Sequence, residues 1–284
     1  MRSLIIFFFL TLFCFYSYSQ EESHKSQGII FLPEERIFSL INLDPLSCQI
    51  YGGMYIILED GEKNKGIFIP VNLGFSKPFF GLYLSDIKFE IGLEAGSYTQ
   101  FEIVHVENTT YLGGLFNNDY KASAYLSSYY KNISYRLRLF HISSYLGDDY
   151  MIRNEEFIRN DKSVNYEQLD LTVLKKINYS ELYTGIGYIL TPNAYRERLS
   201  FQIGFQFEKT GEKIFQLVGG VDLKAFEQNS FYPNIRTAIG TKITTNKRKA
   251  GLRIQMEYYH GHLPYSTQEY RKISWFGISS SIAI

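Results

Sequence analysis

The sequence predicts an all-β chain, an antiparallel transmembrane β-barrel of about twelve strands. Three observations carry this. Oily and polar side chains alternate every second residue in segment after segment, no second stretch approaches the roughly 18 apolar residues of a membrane-crossing helix, and an apolar leader precedes the whole. The alternation is plain from Ile87 to Phe101, where Ile87, Phe89, Ile91 and Leu93 interleave with Lys88, Glu90 and Glu94. It recurs at Leu199, Phe201, Ile203, Phe205 and Phe207, and again at Leu252, Ile254, Met256 and Tyr258. A period of two means extended strands with two unlike faces. Charges at mid-strand positions, with almost no helix to cover either face, fit a closed wall around a wet interior better than a soluble sandwich.

The leader carries Arg2, an apolar run from Leu4 to Phe15 and Ser17-Tyr18-Ser19 before Gln20. This is the pattern of a cleaved export signal over residues 1–19. Cys14 lies inside the run and follows Phe13, so it is not read as a lipidation site. Cys48 is then the single cysteine of the mature chain, and no disulfide within it is expected. Residues 20–46, with Pro33 and Asp44-Pro45, read as an irregular lead-in, periplasmic or tucked into the lumen, and the barrel as 47–284.

Strands are expected near 48–59, 66–76, 87–101, 119–130, 133–146, 166–176, 180–190, 199–209, 213–225, 233–244, 248–259 and 272–284. Lys77-Pro78 interrupts the second, so 66–85 reads as one long strand or two short ones. Tight connections, such as Lys131-Asn132 and Ile177-Asn178, alternate with long ones at 102–118, 147–165, 191–198, 226–232 and 260–271. Short turns belong to the periplasmic side and long loops to the outside, which puts both termini in the periplasm. The 24 Tyr and 23 Phe among 284 residues supply aromatic girdles. With 29 basic and 29 acidic residues there is no electrostatic case for nucleic acid. The expected partners are outer-membrane lipids, and a homodimer is left open.

Parity puts Glu90, Glu94, Arg136, Arg138, Asp170, Glu208, Asp222, Lys224, Arg236, Lys242, Arg253 and Glu257 on the inner face. Opposite charges in such number predict a filled lumen rather than a wide pore.

The segment from Tyr135 to Asp149 holds the candidate chemistry. With Leu137 and Leu139 facing lipid, His141 and Ser143 share their side at the outer rim. An imidazole two residues from a hydroxyl can serve as its base. The same parity turns Asn165 and Glu167 on the next strand to lipid, where either could orient the imidazole. The bland alternative is a polar pair at headgroup height. Asp148 and Asp149 offer oxygen ligands to Ca2+, or are solvated loop charges. His260 and His262 have no third partner nearby for zinc.

His-x-Ser on an ascending strand, followed by a polar orienter on the next, resembles outer-membrane phospholipase A and the lipid A 3-O-deacylase. That resemblance spans about 30 residues and implies an acyl-ester hydrolase with Ser143 as nucleophile, His141 as base and Asn165 or Glu167 as orienter. Where those families place Asn after the serine this chain has Ser144, and the glycine falls at Gly147. Nearly all of the mature chain is similar to a bacterial family of unknown function expected to form outer-membrane barrels. The stretches that carry it are His141–Asp149, Asp222–Phe226 with Pro233-Asn234, and Glu257–Tyr265. Alternatives to catalysis are a structural or adhesive barrel and a small selective channel.

Overall fold

The computed structural model describes residues 28–60, 66–104, 112–153, 164–192, 196–209, 214–244, 251–264 and 268–283. The expected export signal lies outside the described residues. Thirteen strands form one sheet: β1 (Gly28–Phe31), β2 (Tyr51–Asp60), β3 (Gly66–Tyr83), β4 (Ile87–Val104), β5 (Leu112–Tyr130), β6 (Ile133–Leu146), β7 (Val164–Ile177), β8 (Ser180–Ile189), β9 (Leu199–Glu208), β10 (Phe215–Phe226), β11 (Asn234–Thr244), β12 (Gly251–His262) and β13 (Lys272–Ala283). Each strand from β2 onward pairs antiparallel with the next, and β13 pairs with β2. The wall is therefore a closed barrel of twelve strands, the only way a sheet can satisfy its backbone in lipid. β1 adds to the C-terminal end of β3, Phe31 opposite Phe80.

Two departures from the sequence reading have physical causes, and the alternative left open at Lys77-Pro78 is decided. β3 runs unbroken past Lys77-Pro78, with a register shift between Pro78 and Phe80. A bulge is where a strand tolerates a residue with no N–H. The long loop expected at 102–118 is much shorter, because β4 continues to Val104 and β5 starts at Leu112. Consecutive polar residues there, Asn117-Asn118-Asp119, hid the strand. The lead-in is also less irregular than expected, since it contains β1 and keeps β2 from starting until Tyr51.

Outward side chains are apolar through the middle of the wall, for example Leu137, Leu139, Leu169, Leu171, Ile186 and Ile203, all exposed. The inward set is polar and paired. Glu94 sits among Lys121, Arg136 and Arg138 at 3.9, 3.7 and 3.4 Å. Arg138 also holds Asp170 at 2.8 Å, and Glu208 takes Lys242 at 2.6 Å and Arg253 at 2.7 Å. An aromatic cluster of Tyr51, Tyr55, Phe68, Phe116, Tyr150, Tyr259 and Trp275 fills part of the space, with Tyr259 stacked on Trp275 at 4.1 Å between centroids.

The rest of the lumen is occupied by the chain itself. Between β1 and β2 the backbone crosses the interior. Ile37 N–H donates to Glu90 Oε2 and Asn42 N–H to Gln206 Oε1, each at 2.9 Å, and Lys121 Nζ donates to Leu46 C=O at 2.9 Å. Phe38, Ile41, Leu43 and Cys48 are buried. The segment returns to the wall at Gly74, where a Cβ would stand 2.7 Å from Cys48 Cα and Gln49 N. We expect Gly74→Val to loosen this segment, at a cost of about 1–3 kcal/mol. Limited proteolysis within residues 34–50 and the urea midpoint check it. Gly113→Ala, whose Cβ meets nothing nearer than 3.4 Å, is the control, and equal behaviour of the two variants would refute the close-packing argument.

Asp44 is the charged anchor of the crossing segment. Burial by itself would push its carboxyl up, but Lys224 at 2.9 Å, with Arg138 and Lys121 beyond, holds it below the ordinary carboxylate range. A carboxyl depressed on folding contributes stability above its unfolded value of about 3.9, and that contribution is lost as pH falls below it. The hydrogen-exchange protection factors of residues 34–50, corrected for the intrinsic pH dependence, should therefore fall below about pH 4. Asp44→Asn should exchange faster at neutral pH and lose most of this pH dependence. An unchanged profile in the variant would remove Asp44 from the account.

Candidate functional site

β6 and β7 pair with His141 opposite Glu167 and Ser143 opposite Asn165. Alternation along β6 buries Arg136, Arg138, Phe140, Ile142 and Ser144 and leaves Tyr135, Leu137, Leu139, His141, Ser143 and Tyr145 on the outer surface. The four residues singled out from the sequence thus gather on one outward patch, toward the end of the β6–β7 pair away from the tight turn at Lys131-Asn132. His141 Nδ1 lies 2.8 Å from Glu167 Oε1, with both side chains nearly half exposed at 47% and 42%. The other carboxylate oxygen of Glu167 accepts from Thr191 Oγ1. Ser143 Oγ lies 2.8 Å from Asn165 Oδ1 and 2.9 Å from Tyr145 OH.

The arrangement separates the two orienter candidates. Glu167 faces the imidazole and Asn165 faces the hydroxyl. A carboxylate on Nδ1 fixes the tautomer that leaves Nε2 free to take a proton. The His141 and Ser143 side chains share a face but are not hydrogen-bonded to each other. Ser144, which occupies the asparagine position of the resembling motif, points inward and bonds Asp119 and Asn117.

The acidic pair is placed differently from the sequence expectation. Asp148 and Asp149 open a short helix, α1 (Asp148–Arg153). Asp149 Oδ2 accepts the Leu115 N–H at 2.8 Å, while Asp148 is exposed. Calcium takes six to eight oxygens, and among the described residues no group of three or more His, Cys, Asp or Glu side chains could hold a metal. His260 bonds Tyr232 OH at 2.9 Å and Ser274 Oγ at 2.7 Å, and His262 bonds the Glu269 carbonyl at 3.0 Å, so these imidazoles are used in local hydrogen bonds.

Sequence reasoning missed Tyr145, Tyr120 and Thr191. Tyr145 was within its reach, being two residues beyond Ser143 on the same face. Tyr120 lay within the expected strand 119–130, but only the register of β5 on β6 brings it beside Ser143, and Thr191 reaches Glu167 from the loop after β8.

Closed antiparallel wall, outward apolar belt and charged, filled lumen define an outer-membrane-type β-barrel. The chain belongs to the family described as protein of unknown function DUF1207, which matches residues 23–283. No curated protein sequence matches it. Among solved structures it is similar to outer membrane phospholipase A from Escherichia coli, with a TM-score of 0.53 and 11% identity over 85% of this chain and 98% of that one. It is likewise similar to the Salmonella typhi outer membrane phospholipase dimer with bound calcium, with a TM-score of 0.52 and 11% identity over 87% of this chain and 94% of that one. At such identity the likeness is one of fold.

Proposed function

We propose that this protein resides in the bacterial outer membrane and hydrolyses acyl esters of outer-leaflet lipids at a lipid-facing serine site. The observation that carries the reading is the 2.8 Å contact of His141 Nδ1 with Glu167, two residues from Ser143 on the same outward face. In this reading Ser143 attacks the ester carbonyl, His141 takes its proton through Nε2 and returns it to the leaving alcohol, and Glu167 holds the imidazole and stabilises its protonated form. Lipid reaches the site laterally without leaving the membrane. The lumen, crossed by residues 34–50 and lined with paired charges, argues against a diffusion channel.

The second reading is a barrel without catalysis whose rim pairs are interfacial hydrogen bonds. The Ser143–Asn165 bond favours it, since it turns the hydroxyl away from the imidazole. Fatty-acid release from phospholipid or lipid A in detergent micelles, with and without Ca2+, separates the two. Activity that requires Ser143 supports the hydrolase, and no release from the wild type under either condition defeats it.

A further inference from the structure

An acyl-transfer site needs donors for the oxyanion as well as a nucleophile and base. The backbone at Ser143 cannot supply them, because it is paired on both sides, with Tyr120 of β5 and Asn165 of β7. Two phenols stand on the same outward face, one bonded to Ser143 and one its register partner.

Proton accounting identifies the first. Ser143 has one hydroxyl proton and two close oxygen partners. Both oxygens accept from the serine hydroxyl, which shares its single proton between them. Tyr145 OH, 2.9 Å from Ser143 Oγ, accepts from the serine and so keeps its own proton to donate beside the nucleophilic oxygen. The second phenol comes from the neighbouring strand. Tyr120 is the register partner of Ser143, and its hydroxyl accepts from Asn118 Nδ2 at 2.8 Å, which leaves its own proton to donate. Both tyrosines are half exposed, at 50%, and their rings meet edge to face with centroids 6.3 Å apart. The strand thus presents His-x-Ser-x-Tyr on one face.

We propose that Tyr145, with Tyr120 beside it, donates the hydrogen bonds that stabilise the oxyanion formed when Ser143 attacks an acyl ester; the inference rests on the hydrolase reading above. In the step, a bond forms from Ser143 Oγ to the carbonyl carbon while the hydroxyl proton passes to His141. The carbonyl π pair moves onto oxygen, where the phenol protons meet it. Collapse re-forms the carbonyl and breaks the bond to the alcohol, which leaves with the proton from His141, and water then releases the acyl group by the same sequence.

The test compares wild type, Tyr145→Phe and Tyr120→Phe, all folded by heat-modifiable migration, on a nitrophenyl ester and on phosphatidylcholine in mixed micelles. Tyr145→Phe should lower kcat about 10²- to 10³-fold with KM little changed, and Tyr120→Phe should lower it less. Labelling of Ser143 by a fluorophosphonate should slow in parallel, because that reaction builds charge on a phosphoryl oxygen at the same place. If Ser143-dependent hydrolysis persists and Tyr145→Phe keeps kcat within about twofold, against the loss expected for a missing oxyanion donor, the donor assignment is overturned and the hydrolase stands. If the wild type neither hydrolyses ester nor labels at Ser143, both fall together.

Discussion

Ser143→Ala and His141→Ala are each expected to reduce acyl-ester turnover by about 10⁴- to 10⁶-fold, while the barrel inserts and migrates as before. Nucleophile and base act as one unit, so the double variant should be no worse than either single one. Neither side chain enters the lumen or the core, which is why assembly is spared. The orienter is distinguished in the same series. Glu167→Gln should cost roughly 10³- to 10⁴-fold, since an amide can hold the ring in the wrong tautomer. Asn165→Leu should have a smaller effect or raise activity, because it frees the Ser143 hydroxyl for His141. Ser144→Ala, on the inner face, should leave the rate near wild type. Full activity in Ser143→Ala would mean that the reaction lies elsewhere.

The largest expected loss of stability follows Glu257→Ala. One oxygen of this fully buried carboxylate accepts from Arg236 Nε at 3.0 Å and Nη2 at 2.7 Å, and from Tyr55 OH at 2.8 Å and Tyr51 OH at 3.2 Å. The other accepts from Ser279. Removing it strands a guanidinium that is itself buried, and such a break costs about 3–5 kcal/mol. The urea midpoint and the temperature of heat-modified migration should both fall sharply. Removing both charges, as Arg236→Met with Glu257→Leu, should recover much of the loss, because no unpaired charge remains. A double variant less stable than Glu257→Ala would show that the hydrogen bonds to the tyrosines, rather than the ion pair, hold this region.

The wall was legible in the sequence because a two-residue period is a local property. Leu137, Arg138 and Leu139 declare their faces without knowledge of any partner strand, and the twelve segments follow from repeating that argument. Where polar residues broke the pattern, at Asn117-Asn118-Asp119, it failed for the same reason: the inward Asn117 and Asp119 meet lumen groups that only the closed barrel supplies. The candidate patch was half legible. Parity alone put His141, Ser143, Asn165 and Glu167 on one face, yet it could not say which residue of β7 faces which residue of β6.

Sequence by itself therefore determined the strands, their faces, the inward charges and the side of the wall on which the chemistry sits, since each depends on residues near in the chain. Tertiary structure decided the rest. Register set Glu167 against His141 and Asn165 against Ser143, and brought Tyr120 alongside from β5. Closure drew residues 34–50 into the lumen, where Asp44 reaches Lys224 across 180 residues. The reason is physical: alternation fixes which way a side chain points, but what it meets depends on how distant strands slide past one another, and a slip of two residues keeps every face while exchanging every partner.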